Sequence, residues 1–401
     1  MENQLRTKIS DELLHSDKRH YVLECATGLG KTNLALQKIS QLYSQDAKIL
    51  IVIPRNVLIQ NWIEEFKKWH YEDILSNVTF VTYVSLPKMA GSWDIVCFDE
   101  CHHLSERCRE ALNDFNIVHA IFLSATINKN VRQFILNKYN HYKELQWIKI
   151  GTKKAIDDNV LPDPTIILYP MTLDNTKADY LYTPRKPKNK GMKPLIVPYA
   201  KRWNYKSYKG YYQIKCTQQQ YYSELSGIIE WYKRKSYIPT MKNQWLHKAG
   251  ERLQWLAQQK LNVVHRILLY LRDKRSITFC ATIEQTEALN IPCVNSKVGT
   301  RNLSRFNEGK IDAISCVNML DEGLNPYNCQ VGIFDMLNSS EKLQVQRVGR
   351  ILRHKHPAII IPYFKNTRDE EILKKMLEGY NSNNIHIVNS IMDIISKINS
   401  L

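Results

Sequence analysis

Short apolar runs alternate with longer mixed stretches through the first third of the chain. Five of these runs are rich in Val, Ile and Phe, a composition that favours strands. They are Tyr21–Glu24, Lys48–Ile53, Val78–Tyr83, Ile95–Phe98 and Ala120–Leu123. The intervening stretches Asn33–Tyr43 and Leu58–Trp69 mix apolar and polar positions as amphipathic helices do. This alternation predicts a parallel sheet whose strands are joined by crossover helices.

A second alternating block follows Val160. Its predicted strands are Ser276–Cys280, Ala313–Val317, Val331–Phe334 and Ala358–Ile361. The stretch Glu251–Leu271 carries an apolar stripe at helical spacing and predicts a long helix. We therefore predict an α/β protein with two parallel-sheet lobes. Lobe one is residues 1–150, a linker is 151–165, and lobe two is 166–401.

Length and composition are those of a globular intracellular protein. The chain has 401 residues, 44% of them hydrophobic, enough for two or three domains with cores. No apolar run reaches the roughly 18 residues of a membrane span, and the first residues form no apolar signal segment. The nine cysteines are scattered without a C-x-x-C pair, which is typical of reduced thiols. We expect a cytoplasmic protein without a membrane partner.

Charge narrows the choice of partner. Lys and Arg number 56 against 39 Asp and Glu, a net charge of +17. This excess favours a polyanion, nucleic acid before a membrane surface, although a basic surface without a partner is the alternative. Most of the excess lies in Leu181–Gly250, the basic insertion, which holds 15 Lys and Arg, two Glu, ten Tyr and three Trp.

A glycine-rich loop lies between the first predicted strand and the following helix. Its residues are Cys25, Ala26, Thr27, Gly28, Leu29, Gly30, Lys31 and Thr32. Backbone N–H groups of such a loop cradle phosphate oxygens; Lys31 would reach the β and γ phosphates, and the Thr32 hydroxyl would hold Mg²⁺. The pattern G-x-x-x-x-G-K-[ST] has Gly where this chain has Cys25, so a chance Gly-Lys-Thr is the alternative.

Two acidic residues end the fourth predicted strand. Asp99 and Glu100 follow the apolar run Ile95–Phe98. In a parallel sheet this strand end opens on the same edge as the phosphate loop. Asp99 is therefore a candidate Mg²⁺ ligand, and Glu100 a candidate for polarising the attacking water. A zinc site built from the nearby Cys and His residues is a weaker alternative, since their spacing matches no common zinc pattern.

These motifs resemble those of superfamily 2 helicases of the DEAD/DEAH type. The second motif of that family would be Asp99-Glu100-Cys101-His102, a DECH box. The other matching motifs are Pro54-Arg55 with Leu58 and Gln60, Thr82-Tyr83, Ser124-Ala125-Thr126, Asp321-Glu322-Gly323-Leu324-Asn325, and Gln346 to Arg353. Within the family, the chain resembles compact phage-like DNA helicases and the motor parts of type III restriction enzymes.

The resemblance implies two RecA-like lobes that bind ATP and Mg²⁺ in the cleft between them. Lobe two would supply Arg350 and Arg353 against the γ-phosphate and Gln346 near the attacking water. The remaining implied roles fall into three groups. Nucleotide contacts are Gly323 and Asn325; coupling residues are His102, Ser124 and Thr126; strand contacts are Pro54, Arg55, Gln60 and Thr82.

Two positions depart from the family pattern. The fifth motif has Val317 and Asn318 where Thr-Asp is usual, and the adenine-reading element has Ile9 in place of its glutamine after Leu5-Arg6. Selectivity for adenine is therefore expected to be loose. For a phage-encoded chain, the compartment would be the host cytoplasm.

The basic insertion adds a second candidate nucleic-acid surface. Cations can contact phosphates while Tyr and Trp faces stack on bases. The candidate contacts are Lys201, Arg202, Trp203, Lys206 and Lys209. Alternatively, the aromatic residues pack a small subdomain with Gln218–Lys235 as one of its helices, and the lysines are only solvated.

The sequence thus predicts an ATP-dependent DNA helicase or translocase that couples hydrolysis to movement and to strand separation or branch migration. We expect a monomer acting on single-stranded or branched DNA. An RNA helicase is one alternative. The other is an ATP-gated nucleic-acid-binding protein that separates no strands.

Overall fold

The computed structural model describes residues 4–176, 180–182, 214–317, 326–338, 340–378 and 380–401. Several predicted site residues lie outside these ranges: Lys201, Arg202, Trp203, Lys206, Lys209, Gly323 and Asn325. For Gln346 only the backbone is described, and it lies in a helix. Every other predicted site residue is described.

Six parallel strands form the sheet of lobe one. They are β1 (His20–Cys25), β2 (Ile49–Ile53), β3 (Val78–Thr82), β4 (Gly91–Phe98), β5 (Phe115–Ser124) and β6 (Leu145–Ile150). Their spatial order is β3-β2-β4-β5-β1-β6. All residues of β1 and β2 are buried, because helices cover both faces of the sheet. The carboxyl ends of β4, β5 and β1 therefore lie side by side at one edge.

Helices flank this sheet and complete lobe one. They are α1 (Gln4–Leu14), α2 (Lys31–Leu42), α3 (Leu58–Lys68), α4 (Glu106–Ala111), α5 (Lys129–Tyr139) and α6 (Thr152–Asp157). The amphipathic α3 buries Leu58, Trp62 and Phe66, which follow one another at i, i+4 and i+8. Helix α6 follows β6 and lies within the residues predicted as a linker.

Lobe two is built on a second parallel sheet. Its strands are β7 (Thr165–Met171), β10 (Ser276–Phe279), β11 (Cys293–Val294), β12 (Ala313–Cys316), β13 (Val331–Phe334), β14 (Ala358–Phe364) and β15 (Ile385–Ile387), and a separate antiparallel pair is β8 (Tyr180–Tyr182) with β9 (Ile214–Cys216). The spatial order of the parallel sheet is β11-β12-β10-β13-β14-β7-β15. Two parallel α/β sheets confirm the predicted fold class.

The helices of lobe two include two long helices that follow one another along the chain. The helices are α7 (Gln218–Arg234), α8 (Pro239–Tyr270), α9 (Ile283–Ala288), α10 (Arg301–Asn307), α11 (Glu341–Ile351), α12 (Arg368–Leu377) and α13 (Ile391–Asn399). A capping box at Thr217 starts α7, and Pro239 occupies the first turn of α8.

The long helix begins earlier than the sequence predicts. The predicted start at Glu251 was wrong by twelve residues, because α8 already begins at Pro239. Its first half packs on α7 through Trp245, Ala249 and Trp255, whereas its second half packs on lobe two. Part of the basic insertion is therefore the first half of a helix that anchors in the lobe-two core.

Candidate active site

The phosphate loop connects the end of β1 to the start of α2. Gly28 and Gly30 have φ angles of 96° and 84°, in the left-handed region that favours glycine. A Cβ at Gly28 would also lie 3.1 Å from the Leu161 side chain. The ammonium of Lys31 donates a 3.0 Å hydrogen bond to the Cys25 carbonyl across the loop. Lys31 therefore already lies within the backbone turn that would surround a phosphate.

Cys25 stands in for glycine at a position where a side chain fits. It is the last residue of β1, pairs with Ile150 of β6, and does not have a positive φ. Its thiol is fully buried, and burial raises the pKa of the thiol to about 11. The side chain is thus a neutral apolar filler, and strand geometry accommodates the departure from the loop pattern.

The other loop residues divide between the core and the cleft. Ala26 and Leu29 are buried, whereas Thr32 lines the cleft between the lobes. Thr27 also lines that cleft, and its Oγ1 is buried with no hydrogen-bond partner among the described residues. A buried hydroxyl without a partner beside a phosphate cradle fits a site that a ligand completes.

Asp99 and Glu100 follow β4 at the same edge of the sheet. The N–H of Asp99 donates a 2.8 Å bond to Val52 of β2, and Glu100 adopts a left-handed backbone with φ 49°. Burial and the adjacent Glu100 carboxylate raise the pKa of Asp99, while a hydrogen bond from Trp62 and the charge of Lys31 oppose that rise. Two carboxylates held together near a lysine form a site that favours a bound cation.

Two aromatic side chains bond to Asp99. The Trp62 indole Nε1 donates to Asp99 Oδ2 at 3.0 Å. The Tyr83 hydroxyl donates to the Asp99 backbone carbonyl at 2.7 Å. Trp62 is 2% exposed and Tyr83 is 5% exposed, so both bonds are shielded from bulk water. Asp99 is therefore held at its side chain and at its backbone.

His102, Ser124 and Thr126 form one hydrogen-bonded group. Ser124 Oγ donates to the Thr126 carbonyl at 2.8 Å, and His102 Nδ1 lies 2.8 Å from the same Oγ. Because the serine has one hydroxyl proton, His102 Nδ1 must be the donor to it. The same Nδ1 lies 3.3 Å from Glu100 Oε2. The group therefore connects the end of β5 to the acidic residue after β4.

Lobe two brings two arginines to the other side of the cleft. Arg350 belongs to α11 and is buried, and Arg353 follows that helix. Arg353 is exposed toward the cleft, and partial desolvation there together with the Arg350 guanidinium lowers its pKa, while Glu65 of lobe one opposes this shift. Two crowded cations facing the phosphate loop would be stabilised by an anion between them.

The phosphate loop of lobe one and α11 of lobe two approach each other closely. A Cβ at Gly349 would collide with the Thr27 side chain. The cleft bounded by this contact has a volume of about 1050 Å³. Its lining includes Lys31, Thr32, Asp99, Glu100, Arg350 and Arg353. Thr27, Gly28, Leu29 and Gly30 of the phosphate loop line it as well, so the structure brings together ten of the predicted ATP-site residues.

The N-terminal helix closes one side of this cleft. Arg6 Nη2 donates a 3.0 Å hydrogen bond to the Gly28 carbonyl, which ties α1 to the phosphate loop. Ile9, which replaces the expected glutamine, is 2% exposed and packs in the core. The next residue, Ser10, lines the cleft and donates a 2.6 Å bond to Gln37. Polar groups are therefore present where the usual glutamine is missing.

The predicted strand contacts do not all lie together. Pro54 and Arg55 lie between β2 and α3, and Thr82 ends β3. Since β2 and β3 are paired neighbours, these three residues share one edge of the sheet. Gln60 instead lines the cleft and bonds to Glu64 at 3.1 Å.

The residues at this edge fit a Mg²⁺ ion. Thr32 and Asp99 supply the hard oxygen ligands that Mg²⁺ prefers, and Mg²⁺ commonly uses only one or two carboxylates besides substrate phosphates. Both residues line the cleft that contains Lys31. In the described part of the chain, no group of three or more His, Cys, Asp or Glu side chains is arranged to hold a metal ion on its own.

Three contributions to the site were not predicted from the sequence, although Tyr83 and Gly349 lie within motifs that the sequence analysis names. The indole of Trp62, the hydroxyl of Tyr83 and the missing side chain of Gly349 act through tertiary contacts. Trp62 lies on the buried stripe of α3, where an apolar periodicity alone predicts only packing. A tryptophan on a helix that borders the cleft was the available signal.

Two family profiles match separate parts of the chain. Residues 2–82 match the profile of the type III restriction enzyme res subunit, and residues 253–355 match the helicase conserved C-terminal domain. A DNA 3'-5' translocase XPB2 of Sulfurisphaera tokodaii is 22% identical over 387 residues, which is 89% of this chain and 80% of that protein.

Solved helicase structures share the fold. S. cerevisiae Dbp5 bound to RNA and ADP BeF3 has a TM-score of 0.58 at 13% identity, over 99% of this chain and 93% of that chain. The type ISP restriction-modification enzyme LlaBIII bound to DNA has a TM-score of 0.52 at 14% identity, over 100% of this chain and 32% of that chain. Among the described residues, the helices are too short or too polar to cross a bilayer.

Proposed function

The chain belongs to superfamily 2 of the helicases, whose members hydrolyse ATP, and we propose that it is an ATP-driven DNA translocase. The observation that carries the proposal is the interlobe cleft, where a phosphate loop, two carboxylates and two arginines face one another. Phosphoryl transfer to water needs this combination, since its transition state spreads negative charge over the transferred group. A cleft shared by two lobes also links that chemistry to relative motion.

In this proposal the residues of lobe one bind ATP and activate water. The loop N–H groups and Lys31 hold the β and γ phosphates, and Thr32 and Asp99 hold Mg²⁺, which when bound neutralises phosphate charge. Glu100 orients the attacking water and accepts its proton. Arg350 and Arg353 stabilise the charge that develops on the γ-phosphate.

The His102 group is proposed to report the state of Glu100 to the sheet edge. His102 contacts Glu100 and Ser124 through one nitrogen, at 3.3 and 2.8 Å. A change in hydrogen bonding at Glu100 during hydrolysis would therefore alter the bond to Ser124. Because Ser124 also bonds to Thr126, the change reaches the segment after β5.

DNA is the proposed track. The net charge of +17 supports a polyanion, and the XPB2 relative is named a DNA translocase. RNA is the second candidate, since the Dbp5 structure contains RNA, but that likeness concerns the fold. We propose that Pro54, Arg55 and Thr82 contact the strand at the edge formed by β2 and β3.

The basic insertion is proposed as a second contact with the strand. In its described part, Tyr221, Leu225 and Ile229 of α7 are buried against Trp245 of α8, so some of its aromatic residues do pack a subdomain. Other aromatic residues lie at the tip of this helical pair, where Trp231 is 50% and Tyr237 81% exposed. The segment 231–242 carries four cations and no acidic residue. Exposed rings among cations suit unpaired bases and phosphates.

A panel of nucleic acids tests the proposed function. ATP hydrolysis should rise with single-stranded, duplex or forked DNA and rise less with RNA. Displacement of a triplex-forming strand from duplex DNA would distinguish movement along DNA from binding alone. Glu100→Gln should bind ATP and DNA and stall, because an amide cannot accept the proton. Equal stimulation by DNA and RNA would remove the DNA preference, and the absence of any stimulation would refute a nucleic-acid motor.

Salt dependence tests the insertion contact. Each phosphate neutralised contributes roughly 0.7 to 0.9 to the slope of log affinity against log salt. A first quadruple alanine variant changes Lys233, Arg234, Lys235 and Lys242, and a second changes Lys201, Arg202, Lys206 and Lys209. Each should flatten the slope by about two to three units if most of the cations touch phosphate. A control variant replaces four lysines of lobe one by alanine: Lys129, Lys143, Lys153 and Lys154. An unchanged slope in both insertion variants would mean that the insertion is only solvated.

A further inference from the structure

Two buried hydrogen bonds converge on a single residue of the candidate active site. Trp62 bonds to the Asp99 carboxylate at 3.0 Å, and Tyr83 bonds to the Asp99 carbonyl at 2.7 Å. A donor on the carboxylate restricts the rotation of that group, and a donor on the carbonyl restricts the backbone that carries it. Together they fix Asp99 in both respects.

Both aromatic residues come from the segments that follow β2 and β3. Trp62 lies on α3, one turn after Leu58, and α3 follows Pro54 and Arg55. Tyr83 comes directly after Thr82, the last residue of β3. These segments reach Asp99 because β3, β2 and β4 are neighbours in the sheet and end at one edge. Each proposed strand contact is therefore joined to Asp99 through a short stretch of chain and one side-chain bond.

Helix α3 also faces the arginines of lobe two. Glu65, almost one turn after Trp62, lines the same cleft as Arg353, and its carboxylate opposes the lowering of the Arg353 pKa. The same Glu65 accepts a 2.8 Å bond from Trp69. A displacement of α3 would thus change the surroundings of Asp99 and of Arg353 together.

We propose that Trp62 and Tyr83 are positioning residues that hold Asp99 in its metal-binding orientation and relay strand binding to it. The inference rests on the proposed function, because it takes Asp99 as a Mg²⁺ ligand and the β2–β3 edge as a strand contact. Nucleic acid bound at that edge shifts α3 and the β3 terminus, and the two bonds carry the shift to Asp99. Stimulation of ATP hydrolysis by nucleic acid follows from this relay.

Two conservative variants test the proposal. Tyr83→Phe removes only a hydroxyl, and Trp62→Phe removes the indole donor while keeping an aromatic ring. The Tyr83 variant keeps the test decisive if the smaller ring at position 62 destabilises the fold. Two readouts are needed: the Mg²⁺ concentration for half-maximal binding of fluorescent ADP, and the ratio of oligo(dT)-stimulated to basal ATP hydrolysis. The first readout does not depend on turnover.

Lobe one supplies a matched control for each variant. Tyr139→Phe deletes a buried hydroxyl that has no hydrogen-bond partner among the described residues. Trp147→Phe deletes an indole donor that bonds to the Glu24 carboxylate at 3.0 Å, the same kind of bond as in Trp62. Glu24 retains Arg132, at 2.8 Å, after this change. The controls therefore repeat the chemical change away from Asp99.

Each test variant should raise the Mg²⁺ requirement by about tenfold, the lower end of what loss of a residue supporting a metal ligand costs. The stimulation ratio should fall by several-fold, and the two controls should match wild type. A Mg²⁺ requirement equal to that of the controls would overturn the positioning role. An unchanged stimulation ratio in both variants would overturn the relay. If wild type itself shows no stimulation, the proposed function fails, while the Mg²⁺ titration still tests the two bonds.

Discussion

The two halves of the interlobe cleft are built differently. In lobe one, the functional residues end three adjacent strands and are held by bonds between them, such as those from Lys31 to Cys25 and from Trp62 to Asp99. In lobe two, Arg350 and Arg353 come from a single helix and its end. Lobe one therefore has an assembled binding site, whereas lobe two contributes charge that is useful only when the lobes meet. In the proposed function this difference separates binding, in lobe one, from acceleration, in lobe two.

The largest effect on ATP turnover is expected from changing the phosphate loop of lobe one. Lys31→Ala should abolish ATP turnover and strand displacement, because no other described ammonium bonds within the phosphate loop and the direct phosphate contact is lost. Hydrolysis is measured in a variant whose melting temperature matches that of wild type. Lys153→Ala, at an exposed lysine of α6, is the control. Substantial hydrolysis in a folded Lys31 variant would contradict the assignment of the loop.

Loss of either lobe-two arginine should affect kcat and ATP affinity differently from loss of Lys31. Arg350→Ala and Arg353→Ala should each lower kcat by about 10³-fold while ATP affinity changes much less, since both arginines meet charge that grows in the transition state. Single-turnover kinetics and nucleotide titration measure the two effects separately, with Arg272→Ala as an exposed lobe-two control. A loss of affinity with unchanged kcat would move these arginines into the binding half.

The contact between the two lobes can be tested by adding one methyl group at Gly349. Gly349→Ala places a Cβ against Thr27 across the cleft, so it should lower ATP turnover by roughly tenfold by holding the lobes apart. Alanine is a better helix former than glycine by about 1 kcal/mol, so the stability of lobe two should not fall.

Gly332→Ala is the matched comparison for that variant. Its Cβ would meet Ile351 within lobe two, 2.7 Å from Cγ1, so it should cost stability and leave the contact between the lobes intact. Thermal unfolding and ATP turnover, measured on both variants, distinguish a loss of stability within lobe two from a changed contact between the lobes. Equal losses of stability in the two would contradict an interlobe role for Gly349.

The smallest expected effect on ATP turnover comes from changing a buried carboxylate of lobe two, Asp335. Asp335 is fully buried, and both its carboxylate oxygens lack a hydrogen-bond partner within the described ranges. Burial raises its pKa to about 7, an effect that Lys260 opposes and Asp369 reinforces. The folded state therefore binds this proton more tightly than the unfolded state, and the group's contribution to stability decreases as pH rises from about 4 to 7.

Asp335→Asn should accordingly stabilise the protein above neutral pH, by about 1–3 kcal/mol at pH 8. The gain should vanish near pH 4, where the carboxyl is protonated in both states. Melting temperatures at the two pH values measure this, and ATP turnover should change little. A variant that is less stable than wild type at pH 8 would mean that the charged carboxylate has a stabilising partner.

The sequence predicted those parts of the candidate site that are formed by residues contiguous in the chain. The loop from Cys25 to Thr32 and the acids after β4 are contiguous motifs, and their apolar strands define the sheet edge on which they meet. The start of α8 escaped prediction because its first turns lack a buried apolar stripe: the buried residues of this helix begin at Leu256. The contacts of Trp62, Tyr83 and Gly349 escaped prediction, although the last two residues lie in named motifs, because these contacts depend on which strands and lobes become neighbours in the tertiary fold.

The position of β7 has a consequence for how the chain is made. This strand comes first in lobe two, yet among the described strands its partners are β14 and β15, and Ala358 lies 187 positions after Met171. At a synthesis rate of about 5–20 residues per second, β7 leaves the ribosome ~10–40 s before its partners. Ile166, Ile167 and Leu168, all buried in the finished protein, spend that interval without their sheet. Lobe one, whose strands all lie before residue 151, can already have folded, so lobe two is the part of the nascent protein whose apolar strand residues stay unpaired longest.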